Sequence, residues 1–148
     1  MNIYDDRAGI EQLRAMAAGD IAGPGIGRSL HFRLTDVEQG RVVFESEPGD
    51  YAANPIGTIH GGYAATLLDS ACGCAVHSQL APGQGYTTLE LKVAYHRAMT
   101  IDTGPVRAVG EVISMGRRAA FAEAKLLDSA DRLIASATST PLVFDRQR

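Results

Sequence analysis

The sequence predicts an α+β fold in which a curled antiparallel sheet wraps around one long central helix. Two observations lead to this prediction. Residues 60–80 place their apolar side chains on one helical stripe. Apolar and polar residues then alternate, as in half-buried strands, over residues 86–97, 106–115, 119–127 and 133–144. A sheet needs a cover for its apolar face, and one long helix supplies it.

The elements before the central helix begin with a short leader. Residues 7–18 have apolar side chains at helical spacing, and the glycines and proline of residues 19–27 end that pattern. Two further runs, residues 28–37 and 41–47, are separated by a short glycine-containing turn, which predicts an antiparallel hairpin. A loop over residues 51–59 then leads into the central helix.

The central helix is expected to end at Leu80, before the stop signal of Pro82 and Gly83, and beyond it short turn segments separate the four alternating runs. We interpret these runs as a meander of strands. The chain of 148 residues has the length of one ordinary domain and shows no internal repeat, low-complexity tract or linker-like stretch. We therefore expect residues 1–148 to form a single domain, with residues 1–25 as a helical leader.

Composition and charge narrow the classes of function. The chain is 45% hydrophobic and 21% charged, and its apolar runs are far shorter than the ~20 residues that span a bilayer, so no membrane partner is expected. A net charge of −3 gives no general attraction for nucleic acid. The acidic N-terminal region does not match a signal peptide, which favours a cytoplasmic protein. Cys72 and Cys74 form neither a redox pair nor a zinc site, so we expect buried, reduced thiols and no metal.

The segment from Asn54 to Asp69 carries the candidate chemistry. Gly61 and Gly62 stand at the start of the central helix, where each glycine is unfavourable by about 1 kcal/mol relative to alanine. Close approach of the backbone to another group would explain them. The first N–H groups of a helix lack an internal acceptor and carry the positive end of its dipole. These amides can therefore donate to a carbonyl oxygen, as in an oxyanion hole.

Asp69 lies two turns further along the helix, about 100° from the centre of the apolar stripe and so at the edge of the buried face. A carboxylate there is partly desolvated yet reachable, and it can activate water or attack a thioester carbonyl directly. The residues alone leave a simpler interpretation open. The glycine pair can mark a tight helix entry, Asp69 a surface group, and His60 a capping residue.

This segment resembles a known family. The matching residues are Asn54-x-x-Gly57-x-x-His60-Gly61-Gly62 followed by Ala65-Thr66-Leu67-x-Asp69. They are similar to the motif of the hotdog-fold acyl-CoA thioesterases of the phenylacetate-degradation type, the PaaI-like family, whose order of elements matches over roughly residues 25–144. The resemblance implies a hotdog fold and an enzyme that hydrolyses acyl-CoA to free acid and coenzyme A. No separate cofactor is implied, because coenzyme A is part of the substrate.

Carried across residue by residue, the resemblance makes Asp69 the catalytic base or nucleophile, and both roles stay open because they need the same carboxylate. The amide of Gly62, or that of its neighbour Gly61, matches the donor to the thioester carbonyl. Asn54 and His60 match polar residues placed near the thioester.

The resemblance also implies a homodimer, or a homotetramer built as a dimer of dimers, with active sites between subunits. Free sheet edges favour such pairing. In the family a hydroxyl from the partner's strand after the helix helps to hold the water, and Thr88 is the candidate, with Thr87 on the opposite face of the strand. Some members carry Ser or Thr one turn after the carboxylate, whereas this chain has Gly73, so that water-positioning role is absent.

Coenzyme A is expected along the dimer surface, with its phosphates near Arg97, Arg117 and Arg118, unless these are solvated turn charges. Two other classes of function remain. A hotdog enoyl-CoA hydratase or dehydratase would use His60 as a base, although the His-Gly-Gly motif with Asp69 favours hydrolysis. A non-catalytic acyl-CoA-binding module joined to a helix-turn-helix is disfavoured by the short, non-basic leader. The acyl group stays open among aryl, phenylacetyl, medium-chain and hydroxylated groups.

Overall fold

A computed structural model describes residues 6–146 of the chain. The elements, in chain order, are α1 (Gly9–Ala18), α2 (Gly25–Ser29), β1 (Phe32–Glu38), β2 (Arg41–Ser46), a 3-10 turn (Asp50–Ala52), α3 (Gly61–His77), β3 (Gln84–Tyr95), β4 (Val106–Met115), β5 (Ala120–Asp128) and β6 (Leu133–Asp145). The strands form one antiparallel sheet in the order β1-β2-β4-β5-β6-β3, and α3 packs against it. The predicted α+β class with a central helix is confirmed.

The predicted hairpin forms between β1 and β2, with Glu38 opposite Arg41 and Gly40 at a positive φ of 81° in the turn. Its first strand begins at Phe32, later than the predicted residue 28. The reason is the short helix α2, which the sequence prediction missed, followed by His31 at a φ of 54° that breaks the extended chain.

The four later strands do not form a simple meander. Strands β4, β5 and β6 pair consecutively as predicted, but β3 pairs with β6 and lies at the edge of the sheet. The physical reason is that β2 already occupies the other side of β4. Strand β3 therefore takes the free side of β6, and this position puts β3 beside one flank of α3.

Small residues let α3 lie close to the sheet. At the closest point, a Cβ added to Gly110 of β4 would lie 2.2 Å from the carbonyl oxygen of Ala71, so only glycine fits there. Cys72 is buried and Cys74 is half-buried, and both are free. Burial, reinforced by the charge of Asp69, raises the pKa of each thiol to about 12, so both stay protonated at neutral pH.

The leader helix α1 docks on the far end of α3. The amide of Gly9 donates to the carbonyl of Leu80 at 3.0 Å, and a Cβ at Gly9 would lie 1.8 Å from the carbonyl oxygen of His77. The ring of His77 is buried and forms a hydrogen bond with Gln12 across 2.8 Å between Nε2 and Oε1. Helix α1 is therefore packed into the fold. No helix within residues 6–146 has the length and apolar character needed to cross a membrane.

Candidate active site

Helix α3 begins at Gly61 and is capped by His60. The Nδ1 atom of His60 accepts a hydrogen bond from the amide of Gly62 at 2.8 Å, while the backbone amide of His60 donates to the carbonyl of Ala52. An N-cap of this kind satisfies one of the free amides of the first turn. The predicted oxyanion donor, Gly62 N–H, thus already has an acceptor that a substrate carbonyl would need to replace or share.

Side chains explain both glycines of the helix start. A Cβ at Gly61 would lie 3.0 Å from the hydroxyl oxygen of Tyr95, and a Cβ at Gly62 would lie 2.9 Å from Nδ1 of His60. Close approach was the predicted reason for these glycines. The sequence analysis did not identify Tyr95 as the group that approaches Gly61.

Asp69 lies half-buried in the middle of α3. Its Oδ1 atom accepts a hydrogen bond from the hydroxyl of Thr88 at 3.0 Å. Within residues 6–146, no lysine or arginine forms an ion pair with Asp69. The resemblance placed the hydroxyl in the partner subunit, whereas Thr88 reaches Asp69 of its own chain, because β3 lies directly beside the helix. Thr87 is exposed.

A bulge in β3 places Thr88 and Tyr95 on the same face of the strand, the one toward α3. In a regular strand, residues an odd number apart face opposite sides, so Thr88 and Tyr95 would diverge. The register with β6 shifts between Thr88 and Glu90, which makes Leu89 an extra residue. Both Thr88 and Tyr95 consequently contact α3, and the hydroxyl of Tyr95 donates to the carbonyl of Gly61 at 2.7 Å.

Gly73, one turn after the carboxylate, is covered by a third side chain of β3. A Cβ at Gly73 would lie 2.4 Å from the hydroxyl oxygen of Tyr86, so the tyrosine fills the space that a larger residue would take. Gly73 has no side-chain hydroxyl of its own, but the hydroxyl of Tyr86 from the neighbouring strand lies beside it.

Asn54 is engaged within its own loop. Its Oδ1 atom accepts from the amide of Ile56 at 3.2 Å, and its side-chain amide forms a hydrogen bond with the hydroxyl of Thr58 at 3.0 Å. Gly57 closes the turn at a positive φ of 84°. In this arrangement Asn54 shapes the loop that leads to His60.

The three arginines expected near coenzyme A lie at opposite ends of the sheet. Arg97 follows β3 and its amide donates to the carbonyl of Ile134, whereas Arg118 lies in the β4–β5 turn and its carbonyl accepts from Val143, with Arg117 beside it. Ile134 and Val143 are separated by about nine residues of β6, or roughly 30 Å at ~3.3 Å per residue. One subunit therefore does not bring Arg97 together with the other two.

An open groove of about 1120 Å³ lies near the β1 edge of the sheet, between residues 16–28 and strands β1, β2 and β4. It is lined by residues of both charges, including Arg33 and Glu45, which form an ion pair at 3.7 Å. Asp69 and Thr88 are not among its lining residues. Among residues 6–146 no group of three or more His, Cys, Asp or Glu side chains is arranged to hold a metal ion.

Comparisons with known proteins agree with this architecture. The sequence profile of the thioesterase superfamily matches residues 56–135, from the loop before α3 to the start of β6. The chain is also 25% identical over 124 residues to the 1,4-dihydroxy-2-naphthoyl-CoA hydrolase of Listeria monocytogenes, a match that covers 84% of this chain and 99% of that protein.

Two solved structures have the same fold. Zebrafish thioesterase superfamily member 2 is 27% identical, with a TM-score of 0.74 and coverage of 90% of this chain and 96% of that one. A hypothetical thioesterase of Streptococcus pneumoniae, solved with coenzyme A, is 26% identical, with a TM-score of 0.71 and coverage of 79% and 91%. The sheet and helix described above are thus a shared framework.

Proposed function

Since this chain belongs to the thioesterase superfamily and is a thioester hydrolase, we propose that its substrates are acyl-CoA thioesters, which it hydrolyses to free acid and coenzyme A. The observation that carries the proposal is the half-buried carboxylate of Asp69 on α3, hydrogen-bonded to Thr88 and two turns from the Gly62 amide at the helix start. The relative from Listeria monocytogenes, named as a CoA-thioester hydrolase, and the Streptococcus pneumoniae structure with coenzyme A support the same substrate class.

In the proposed reaction the start of α3 binds the carbonyl oxygen of the thioester. The thioester carbonyl oxygen accepts from the amide of Gly62, taking the place of Nδ1 of His60 in the substrate-free protein. Negative charge grows on that oxygen as the carbonyl carbon becomes tetrahedral, and the helix dipole favours it there. In this role His60 is a cap that yields the amide to the substrate. Its engagement with Gly62 argues against a hydratase in which His60 is the base.

In the proposed reaction Asp69 acts either as a general base or as a nucleophile. Thr88 holds Oδ1, which leaves Oδ2 to act on the substrate. As a base, Asp69 takes a proton from water, the resulting hydroxide attacks the carbonyl carbon, and the C–S bond breaks as the proton passes to the departing coenzyme A thiolate. As a nucleophile, Asp69 attacks the carbonyl carbon directly, the C–S bond breaks with release of coenzyme A thiolate, and water then cleaves the resulting mixed anhydride to free acid and the Asp69 carboxylate. Single-turnover hydrolysis in ¹⁸O-labelled water separates these routes, because the anhydride route can leave the label in Asp69.

We also propose that two or four copies of the chain assemble and that the acyl pocket is completed between subunits. Within residues 6–146, β3 pairs on one side only, so its other edge is free to pair with a second copy. Leu89, Ile113 and Phe121 are exposed apolar side chains of the sheet, as expected of surfaces that become covered. Size-exclusion chromatography with light scattering tests the assembly, and a monomer at micromolar concentration contradicts it.

Coenzyme A supplies the phosphates in this scheme, and no separate cofactor is needed. Because Arg97 lies far from Arg117 and Arg118 in one subunit, we propose that the two groups contact different bound molecules or act from different subunits. We propose the cytoplasm as the compartment, in keeping with acyl-CoA as the proposed substrate class.

The test is thiol release from a panel of aryl, arylacetyl and aliphatic acyl-CoAs. The unaltered protein is compared with Asp69→Asn, and with Asp102→Asn as a control for loss of an exposed carboxylate. We expect kcat/KM to fall by about 10³ in Asp69→Asn, in line with the 10²–10⁴ that a positioned acid or base contributes, and to stay unchanged in the control. Circular dichroism and thermal unfolding verify that all three fold alike.

Two outcomes contradict the proposal. Full activity of Asp69→Asn would remove the carboxylate from the mechanism. Failure of the unaltered protein to release thiol from any acyl-CoA would reject the substrate class. A change in enoyl-CoA absorbance would then identify a hydratase, and binding without turnover would identify a binding module.

A further inference from the structure

Tyr95 acts on the same peptide group that supplies the proposed oxyanion donor. The carbonyl of Gly61, which accepts from the hydroxyl of Tyr95 at 2.7 Å, and the N–H of Gly62 are the two ends of one planar peptide unit. A hydrogen bond that fixes the carbonyl end therefore also fixes the direction of the N–H at the other end.

The bond has an electronic effect as well as a geometric one. A donor on the carbonyl of an amide polarises the unit, and hydrogen bonds linked in this way strengthen one another by about 10–30%. The N–H of Gly62 becomes a better donor to an oxygen that carries growing negative charge. The effect is larger for the transition state than for the neutral thioester, which is the condition for a change in kcat.

The surrounding structure is arranged to permit this contact. Gly61 has no Cβ, and an added one would lie 3.0 to 3.3 Å from three atoms of the Tyr95 side chain. The bulge at Leu89 turns Tyr95 to the face of β3 from which Thr88 also contacts α3. One strand thus contacts both the carboxylate and the helix start, which fixes these two parts of the site relative to each other.

We propose that Tyr95 is a positioning residue for acyl-CoA hydrolysis, which holds and polarises the Gly61–Gly62 peptide so that its N–H meets the thioester oxygen. The proposal rests on the proposed function. It assigns to Tyr95 an effect on turnover, carried through the backbone, without direct contact between the tyrosine and the reacting atoms.

Tyr95→Phe tests the proposal, with Tyr51→Phe as the matched control. The hydroxyl of Tyr51 also donates to a backbone carbonyl at 2.7 Å, that of Glu47, and the two residues are similarly exposed, at 41% for Tyr51 and 56% for Tyr95. Tyr95→Phe therefore loses one such bond, and Tyr51→Phe loses the equivalent bond together with a longer one of 3.3 Å to the carbonyl of Leu30, so any general cost to stability should be at least as large in the control. Loss of an oxyanion donor costs about 10²–10³ in kcat, so weakening one through its peptide should cost less, about tenfold. We expect that loss in Tyr95→Phe with KM within about twofold, and unchanged kcat in Tyr51→Phe.

A spectroscopic measurement separates positioning from stability. The acyl-CoA that the unaltered protein hydrolyses fastest, labelled with ¹³C at its carbonyl, is bound to the Asp69→Asn protein and its carbonyl stretch is recorded by infrared difference spectroscopy. Donation by Gly62 lowers this frequency. We expect the additional change Tyr95→Phe to move the band back toward that of the free thioester, and Tyr51→Phe to leave it in place.

If Tyr95→Phe keeps the kcat of the unaltered protein, as Tyr51→Phe is expected to do, or if the carbonyl band does not move, the proposal is overturned and the hydrolase assignment stays intact. If both variants lose kcat to the same extent, the proposal is also overturned, because the effect would then be one of general stability. If the unaltered protein hydrolyses no acyl-CoA, the proposed function fails and this proposal fails with it. The three results are distinguishable in one set of experiments.

Discussion

The leader helix α1 is held to the end of α3 by a histidine that is buried in its neutral form. His77 is 2% exposed, bonded to Gln12, and packed edge-on against the ring of Tyr86 at 5.9 Å between ring centroids. Burial lowers the pKa of His77 from 6.5 to about 4, and the positive charge of Arg146 adds to the effect. Acid should therefore loosen this junction through His77.

The sign and size of the change in unfolding free energy with pH follow from the pKa of His77 in the folded and the unfolded chain. In the unfolded chain His77 takes up a proton near its ordinary pKa of about 6.5, and in the folded chain only near 4. The stability that depends on neutral His77 is therefore fully present above pH ~6.5, is lost progressively as the pH falls from there, and is gone once the pH has passed through about 4. A lowering of this size corresponds to about 3 kcal/mol, and solvent entry at the junction reduces it toward about 2 kcal/mol.

The assay is urea unfolding at a series of pH values from 8 to 4.5, for the unaltered protein and for His77→Gln. Glutamine can keep a hydrogen bond to Gln12 and does not titrate. We expect any stability advantage of the unaltered protein at pH 8 to shrink by about 2 kcal/mol at pH 4.5. A second variant, Gln12→Glu, places a carboxylate beside the ring and should reduce the acid-dependent loss. Parallel stability curves for the unaltered protein and His77→Gln would refute the reasoning.

Two further predictions concern the site and the packing of the helix. Thr88→Val removes the hydroxyl that donates to Asp69, so we expect kcat to fall about tenfold while the protein stays folded. Thr87→Val, at an exposed position of the same strand, is the control. Equal kcat in the two variants would contradict the role of Thr88. Gly110→Ala forces a Cβ against a backbone carbonyl of α3 and should lower the free energy of unfolding by about 3 kcal/mol or more. Gly23→Ala should change this free energy little, because the added Cβ meets nothing within 4 Å. Equal effects of the two changes would contradict the packing described for Gly110.

Local patterns predicted the elements better than their pairing. The boundaries of β4, β5 and β6 follow from alternation and from turn residues, which are both visible in the sequence. The place of β3 depends on which sheet edge is still free after β2 has paired with β4, and that is a property of the whole sheet. The short helix α2 was missed because it is a single turn among glycines, where hydrophobic periodicity has too few residues to register.

For the candidate site, the sequence identified the helix start and Asp69 through a motif, but not the groups around them. Contact between Thr88 and Asp69 of the same chain depends on the edge position of β3, which places this strand beside α3. The contact of Tyr95 with Gly61 was not predicted, because strict alternation without the bulge at Leu89 places Tyr95 on the face opposite Thr88. The engagement of Gly62 with His60 depends on a side-chain conformation that residue spacing does not specify.

The edge position of β3 also has a consequence for the order in which the chain is made. Thr88 pairs with Pro141, about 50 residues later, so β3 leaves the ribosome well before its partner strand. At ~5–20 residues per second the gap lasts about 3–10 s, during which β3 presents unpaired backbone groups that can bind another nascent chain. Closing so long a loop also slows folding. A ribosome-bound chain that stops before β6 would therefore carry Asp69 and Thr88 without the strand that holds them together.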